Sequence, residues 1–165
     1  MLGNEFEMSF FQGQERLVTM KNLLVAQSGG PSAAINATLA GVVEKAMTNQ
    51  NVGKIYGAKN GIMGILTDKL IDLTETLADP ETLQLLCQTP SSALGSCRMK
   101  LSDWEESTFE YDKILGIFRK YDIGYFVYIG GNDSMDTVAK LSAYCKEKGV
   151  EDIKVIGGPK TIDND

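Results

Sequence analysis

Polar and charged residues suited to phosphate chemistry stand close to three glycine pairs and in one long loop. The pairs are Gly29-Gly30, Gly130-Gly131 and Gly157-Gly158, and each follows a short apolar run. Phosphoryl transfer needs amides and cations that hold the donor's charge, an oxygen ligand for Mg²⁺, and a carboxylate that accepts a proton from the attacking hydroxyl. Residues of these types are Asn36, Arg98, Asn132, Asp133, Ser134, Lys160, Thr161, Asp163 and Asp165.

The glycine pairs themselves suggest how an anion could be held. Glycine lets backbone amides approach a ligand without an intervening side chain, and a helix that begins just afterwards points free N–H groups at the same place. One pair alone could equally be a tight turn between a strand and a helix. Three pairs at one edge of a sheet favour a phosphate cradle. The turns match neither G-x-G-x-x-G nor G-x-x-x-x-G-K-[ST], so the dinucleotide-binding and P-loop patterns are excluded.

Apolar runs that alternate with helical patterns must position these residues. The predicted strands are residues 22–27, 52–59, 125–131 and 153–158. Helical periodicity marks residues 33–47, 79–88, 110–122 and 134–149, and residues 89–103 read as a long polar loop. This alternation predicts an α/β fold with a parallel, doubly wound sheet. The carboxyl ends of parallel strands line the ligand crevice, so we expect the glycine turns to converge there.

Composition limits the classes of partner and compartment. The chain has 165 residues, enough for one domain, and 16 basic against 22 acidic residues give a net charge of -6. This charge argues against nucleic acid and anionic membranes as partners, and there is no apolar run of roughly 18 residues that could span a bilayer. Three cysteines without a C-x-x-C pair, and no histidine, indicate a cytoplasmic location without disulfides or zinc. Residues 1–19 are expected to be an unstructured or extraneous leader before a domain of residues 20–165.

Four motifs resemble the phosphofructokinase family. They are SGG followed by IN after the first strand, LGSCR in the loop, YIGGNDSM after the third strand, and GGPKTIDND, in the family's order and at similar separations. The resemblance covers Met20 to Asp165. It implies a Rossmann-like N-terminal domain that binds the phosphoryl donor, in an enzyme that phosphorylates the 1-hydroxyl of fructose 6-phosphate and forms a homo-oligomer when full length. Family members continue well past TIDND, so we expect this chain to be an N-terminal fragment, truncated in its sheet and inactive alone.

Two positions resemble the branch of the family that uses diphosphate. Asp133 and Lys160 stand where ATP-dependent members carry glycine. Asp133 puts bulk and negative charge where the third phosphate of a nucleotide would run, and Lys160 supplies a cation to a small donor that lacks a nucleoside. An ATP-dependent 6-phosphofructokinase and a non-catalytic phosphate-binding module remain the alternatives.

The resemblance also implies a role for each matching residue. Asp163 would be the base that deprotonates the sugar hydroxyl, and Thr161 and Asp163 would contact fructose 6-phosphate. Lys160, Asp133 and Arg98 complete the predicted catalytic set. The predicted donor-binding residues are Gly29, Gly30, Gly131 and Ser134, and the predicted Mg²⁺ residues are Asn132, Asp133 and Asp165. Asn132 departs from the family pattern, which usually has aspartate there, and offers a carbonyl oxygen without a charge.

Overall fold

Five strands form one sheet in the computed structural model, which describes residues 20–30 and 32–160. The strands are β1 (Lys21–Gln27), β2 (Val52–Ala58), β3 (Leu70–Asp72), β4 (Ile123–Gly130) and β5 (Lys154–Pro159). Their order across the sheet is β3-β2-β1-β4-β5. The pairs β1–β2, β1–β4 and β4–β5 are parallel, as predicted. The three-residue strand β3 was not predicted and pairs antiparallel with β2.

Six helices accompany this sheet in the described part of the chain. They are α1 (Ile35–Met47), α2 (Ile62–Leu66), α3 (Leu73–Thr76), α4 (Pro80–Gln88), α5 (Phe109–Lys120) and α6 (Asn132–Glu147). The four longer helices confirm the predicted ones, whereas α2 and α3 are too short to show a helical period in the sequence. Among the described residues, no helix combines the length and apolar character that a membrane crossing demands.

The central strand β1 is buried on both of its faces. Leu23 and Val25 belong to one apolar cluster, and Leu24 and Ala26 belong to another. Because neighbouring side chains of a strand point to opposite faces, these two clusters are the two sides of the sheet. The first cluster includes residues of α1 and α3, and the second includes residues of α2, α5 and α6. The sheet is therefore doubly wound, as the sequence predicted.

The strand order creates a switch point between β1 and β4. The chain leaves β1 toward β2 on one side, and it leaves β4 toward β5 on the other. Because the two connections diverge, a crevice opens at the carboxyl ends of these neighbouring strands. The glycine turns that follow β1 and β4 stand at this crevice.

The third glycine pair does not form a turn, so that prediction was wrong. Gly157 and Gly158 lie within β5, where they pair with Tyr128 and Ile129 of β4. A Cβ atom at Gly157 would lie only 2.7 Å from the Met135 sulfur on α6. This glycine therefore lets α6 pack closely on β5. The predicted leader, residues 1–19, and the predicted site residues Thr161, Asp163 and Asp165 lie outside the described residues.

The two edges of the sheet differ in character. At the β3 edge, Lys54 Nζ lies 2.9 Å from Asp72 Oδ2, and the Asp72 side chain also accepts the Thr74 N–H at the start of α3. At the β5 edge, the Ile156 side chain is 48% exposed. In the described residues, β5 has no second neighbouring strand. The first edge is thus short and charged, and the second is longer and partly apolar.

Two tyrosines whose rings meet at a tilt between α5 and α6 make hydrogen bonds of different kinds. The rings of Tyr111 and Tyr144 have centroids 5.0 Å apart. Tyr144 Oη donates to Asp112 Oδ1 at 2.5 Å, whereas Tyr111 Oη donates to the Ser102 carbonyl at 2.6 Å. The hydrogen bonds from Tyr144 and Thr108 hold the pKa of the Asp112 carboxyl below its usual range.

We predict that Tyr144→Phe lowers the thermal midpoint at pH 7 by about 2–4 °C, the effect of one lost hydrogen bond in a domain of this size. The folded-state pKa of Asp112 is depressed. Its stabilisation is therefore fully present above the unfolded pKa of about 3.9 and is lost as pH falls through the folded value. Thermal melts between pH 7 and pH 2 should show the difference from wild type narrowing below about pH 4.

Tyr111→Phe is the matched control, because its acceptor is a main-chain carbonyl that does not titrate. The difference between this variant and wild type should stay constant over the same acidic range. If the thermal midpoints of both variants follow the same pH dependence relative to wild type, titration of Asp112 does not cause the narrowing.

Candidate functional site

An open cleft lies at the switch point between the ends of β1 and β4. Its volume is about 280 Å³. The turn after β1, the turn before α6 and the long loop each contribute part of its wall. The lining residues are Ser28, Gly29, Gly30, Cys97, Arg98, Met99, Gly131, Asn132, Asp133 and Ser134. The convergence that the glycine turns predicted is therefore present for two of the three pairs.

The two glycine turns approach each other closely at the floor of the cleft. Gly29 has a φ of +84°, a conformation that side chains disfavour, and a Cβ atom there would lie 3.5 Å from the Gly131 amide nitrogen. A Cβ atom at Gly130 would lie 2.2 Å from Ser134 Oγ and 2.9 Å from the Ser28 carbonyl oxygen. The packing thus leaves no room for a side chain at Gly130 and brings main-chain groups of both turns together.

Helix α6 begins directly in the wall of the cleft. Gly131 precedes the helix with an extended backbone, and no side chain caps the helix within the described part of the chain. The first N–H groups of a helix have no partner inside it, and they carry the positive end of the dipole. Asn132 and Asp133 form the first turn and are exposed, whereas Ser134 is 2% exposed beneath the glycines. An anion in the cleft would meet this helix end.

The main chain of Lys160 lies beside the same turn. Its N–H donates to the Gly130 carbonyl at 2.8 Å, and its own carbonyl oxygen lies 3.6 Å from the position of a Cβ atom at Gly131. Strand β5 therefore delivers Lys160 to the edge of the cleft, next to the start of α6. Lys160 does not belong to the residues that line the cleft itself.

The long loop carries Arg98 into the cleft because serines attach it to the first turn. Ser28 Oγ donates to the Cys97 carbonyl at 3.0 Å, and Ser96 Oγ donates to the Gly29 carbonyl at 2.6 Å. These two bonds attach Ser96 and Cys97, the two residues before Arg98, to the turn after β1. Arg98, which is exposed and lines the cleft, directly follows this attached segment.

Gln27, the last residue of β1, anchors the same loop from below. Its Nε2 donates to the Ile35 carbonyl at 3.1 Å and to Asn36 Oδ1 at 3.0 Å. Its Oε1 accepts the Leu94 N–H and the Ser92 hydroxyl, both at 2.9 Å. Gln27 is fully buried. A buried amide with all these partners fixes the spacing between the strand end, α1 and the loop.

Asn36 completes this buried network and does not line the cleft. Its Nδ2 donates to the Thr89 carbonyl at 2.9 Å, and its Oδ1 accepts the Ala93 N–H at 2.9 Å in addition to the bond from Gln27. The side chain is 1% exposed. Its place among the residues suited to phosphate chemistry is therefore corrected: Asn36 supports the loop and cannot contact a ligand in the cleft.

Two lysines tie the end of the loop to α6. Lys100 Nζ lies 2.8 Å from Asp133 Oδ1, and this hydrogen bond raises the pKa of Lys100. Lys140 Nζ lies 2.9 Å from Asp103 Oδ1 and 3.2 Å from Asp136 Oδ2. Both carboxylates raise the pKa of Lys140, which also donates to the Leu101 carbonyl at 3.3 Å. The cations stay protonated and hold the loop against the first turns of the helix.

Tyr128 is a buried packing residue beneath the loop. Its ring is 1% exposed, and its hydroxyl accepts the Ile62 N–H at 3.4 Å. Burial raises the pKa of Tyr128 to about 12. A phenol with that pKa stays protonated near neutrality, so it acts as a packing group and not as a proton acceptor.

A family model described as phosphofructokinase matches residues 22–165. The chain belongs to the phosphofructokinase family. The resemblance given by the four motifs is thereby confirmed. A pyrophosphate–fructose 6-phosphate 1-phosphotransferase from Xanthomonas campestris is 45% identical over 148 residues, which cover 90% of this chain and 34% of the relative. An ATP-dependent 6-phosphofructokinase from Staphylococcus aureus is 34% identical over 146 residues, which cover 88% of this chain and 41% of that protein.

Solved structures agree with this assignment. The pyrophosphate-dependent phosphofructokinase from Nitrosospira multiformis matches with a TM-score of 0.78 and 44% identity, over 88% of this chain and 35% of that one. The likeness confirms the predicted α/β fold of a phosphofructokinase. This chain spans about a third of the length of these relatives.

The predicted site residues of this chain fall into three groups. Seven line the cleft together: Gly29, Gly30, Arg98, Gly131, Asn132, Asp133 and Ser134. Lys160 lies at its edge through its main chain. Thr161, Asp163 and Asp165 lie outside the described residues, so their predicted roles stay predictions.

The sequence did not indicate that Gln27, Ser28, Ser96 and Lys100 support the cleft, and it suggested phosphate chemistry for Asn36, which supports the loop. Gln27 and Asn36 carried one usable signal, since each is a polar residue on an otherwise apolar strand or helix face, which a buried network explains. Ser28 and Ser96 carried none, because small polar residues are common in turns. Lys100 carried none either, since its ion pair with Asp133 depends on the path of the loop.

The cleft offers some, but not all, of the oxygen ligands that a hard cation such as Mg²⁺ needs. Asn132 offers an amide oxygen and Asp133 a carboxylate, and both stand in the first turn of α6. Mg²⁺ commonly takes one or two protein oxygens and completes its shell with water and substrate phosphates. The described residues contain no cluster of three or more acidic, cysteine or histidine side chains that could hold a metal by itself. A phosphofructokinase site of this kind would need the donor's own oxygens.

We predict that Asn36→Ala destabilises the fold by about 2–4 kcal/mol, because the Ala93 N–H and the Thr89 carbonyl lose their buried partner. Urea denaturation measures the loss, and limited proteolysis should show faster cleavage within residues 89–103. Thr38→Ala, an exposed change on the same helix, is the control and should alter stability by no more than about 0.5 kcal/mol. Equal effects of the two substitutions would contradict a special role for the Asn36 network.

Proposed function

We propose that the protein containing this chain transfers a phosphoryl group from diphosphate to the 1-hydroxyl of fructose 6-phosphate. The products are fructose 1,6-bisphosphate and phosphate. The observation that carries the proposal is the cleft at the switch point, in which Arg98, two glycine turns and Asp133 meet. The name of the relative from Xanthomonas campestris describes the same reaction.

The donor is proposed to sit between the glycine turns and Arg98. Gly29, Gly30 and Gly131 offer main-chain amides, and Ser134 supports them from beneath. Arg98 contributes a planar cation that stays charged and suits phosphate oxygens. These groups would stabilise the charge that spreads over the transferred phosphoryl group.

Selectivity for diphosphate over ATP is proposed to rest on Asp133 and Lys160. Asp133 occupies the wall of the cleft with a side chain where ATP-dependent members carry glycine. Its bulk and charge would obstruct the longer phosphate chain of a nucleotide. Lys160, next to the start of α6, would add a positive charge for a donor without a nucleoside.

The acceptor side is assigned to the motif that follows β5. Asp163 would take the proton of the sugar 1-hydroxyl as the hydroxyl oxygen forms a bond to the terminal phosphorus. The bond from that phosphorus to the bridging oxygen would break, and phosphate would leave with the electron pair. Thr161 and Asp163 would contact the sugar phosphate.

A magnesium site is proposed at the start of α6. Asn132 and Asp133, with Asp165, would supply oxygen ligands to Mg²⁺, whose charge would offset that of the donor phosphates. Because Asn132 is uncharged, the acidic residues would provide most of the attraction.

The remaining features of the proposal concern the whole protein. Residues 20–165 would form the donor-binding domain of a cytoplasmic homo-oligomer, without nucleic acid or membrane as partner. The three cysteines are free thiols in the structure, which is consistent with a reducing compartment.

We predict that the complete reading frame containing this chain phosphorylates fructose 6-phosphate with diphosphate and Mg²⁺, and hardly with ATP. Replacing Asp133 and Lys160 together by glycine should lower kcat/KM for diphosphate by about 100-fold or more, and should yield measurable ATP-dependent turnover. A coupled assay for fructose 1,6-bisphosphate measures both activities. Strong ATP use by the wild type would favour the ATP-dependent alternative, and binding of imidodiphosphate without any turnover would favour a phosphate-binding module.

We predict that Asp163→Asn lowers kcat by about 10²–10⁴-fold, the usual contribution of a general base. The KM for diphosphate should change by less than about threefold, because the donor contacts are untouched. Steady-state kinetics with varied diphosphate measure both constants. A variant with nearly normal kcat would show that another group accepts the proton.

A further inference from the structure

Lys100 is an unassigned cation at the rim of the donor cleft. It directly follows Met99, a lining residue, and its Nζ lies 2.8 Å from Asp133 Oδ1. Both side chains are largely exposed, at 64% and 62%. Exposed pairs contribute little to stability, so this pair adds little to the attachment of the loop that Lys140 already provides. Among the described residues, Asp133 is the aspartate that lines the cleft, and the contact with it suggests a role for Lys100 at the donor site.

The end of the loop is fastened so that Lys100 stays near Asp133. Leu101 is buried in the core, and its carbonyl accepts a hydrogen bond from Lys140 on α6. Asp103 is paired with the same lysine. Lys100 therefore stands between Arg98, which the serines hold, and a segment that α6 holds. Its backbone is constrained on both sides while its side chain remains in solvent.

The charges around the cleft explain what this lysine adds. Asp133 places a negative charge in the wall, and diphosphate is itself an anion, so the carboxylate that obstructs a nucleotide also repels the intended donor. Arg98 can offset one negative charge, but it is needed for the phosphate. Lys100 neutralises the carboxylate directly. The Asp133 side chain then still fills space in the cleft wall, but its carboxylate repels diphosphate less strongly.

We propose that Lys100 is a positioning and specificity-determining residue of the donor site, which holds Asp133 and cancels its charge so that diphosphate is admitted. This inference rests on the proposed function. It assigns the discrimination between donors to a pair of residues, one from the loop and one from α6, and not to Asp133 alone.

The test uses the complete reading frame and measures the binding of imidodiphosphate with Mg²⁺ by calorimetry, together with steady-state kinetics. Lys100→Met should weaken imidodiphosphate binding and raise the KM for diphosphate by about threefold to tenfold, as expected for one charge in an exposed site. The kcat should stay within about twofold, because Lys100 does not touch the reacting atoms. Lys100→Arg keeps the positive charge, so its affinity for imidodiphosphate and its KM for diphosphate should match those of wild type.

Two further measurements separate a charge effect from a packing effect. The weakening caused by Lys100→Met should shrink at 0.5 M salt, where the Debye length is only about 4 Å. Relative to Asp133→Asn alone, adding Lys100→Met should weaken binding no further, because the charge to be neutralised is gone. Lys54→Met is the matched control: it removes an exposed lysine paired with Asp72 at 2.9 Å on the far edge of the sheet. It should leave imidodiphosphate binding unchanged.

The outcomes distinguish this inference from the proposed function. If wild type uses diphosphate and Lys100→Met binds imidodiphosphate as tightly as wild type, only the inference is overturned. The same holds if the weakening persists in the Asp133→Asn background. If wild type neither binds imidodiphosphate nor uses diphosphate, the proposed function and the inference are both overturned.

Discussion

The close approach of two main-chain turns is the constraint on which the rest of the site depends. The turn after β1 and the turn before α6 come so near that Gly29 faces the Gly131 amide and Gly130 has Ser134 against it. A side chain at Gly130 would force the turns apart. Because the parallel strands β1 and β4 are hydrogen-bonded neighbours, their register fixes where these turns meet. The position of the cleft is thus a consequence of the sheet.

A second set of polar groups, most of them buried, holds the loop that carries Arg98 at this crevice. A loop crossing a strand end would normally be held loosely, since loops bury few apolar side chains. Here the side-chain amides of Gln27 and Asn36 bond to the main chain of the loop from below. Ser28 of the turn donates to the loop, and Ser96 of the loop donates to the turn. Arg98 therefore occupies a defined place, which is what electrostatic stabilisation of a transferred group requires.

Much of the fold could be predicted from the sequence because its signals are local. The middle of β1, from Leu23 to Ala26, and most of β4 are apolar since they are buried on both faces, and the longer helices repeat their apolar residues at helical spacing. The three-residue β3 and the short α2 and α3 leave no period to detect. The interpretation of Gly157-Gly158 as a turn failed because nothing local marks that β5 continues to Pro159. Pairs such as Lys100 with Asp133 depend on the path of a loop, which sequence patterns do not encode.

The two edges of the sheet differ in how readily a further strand can pair with them. At β3, three residues of antiparallel pairing and an ion-paired aspartate leave almost no free ladder for another strand to join. At β5, six residues with a half-exposed isoleucine form a longer template on which main-chain pairing can continue. Any extension of the sheet, whether by the protein's own chain or by unwanted association between copies, is therefore favoured past β5, on the side where Lys160 leaves the strand.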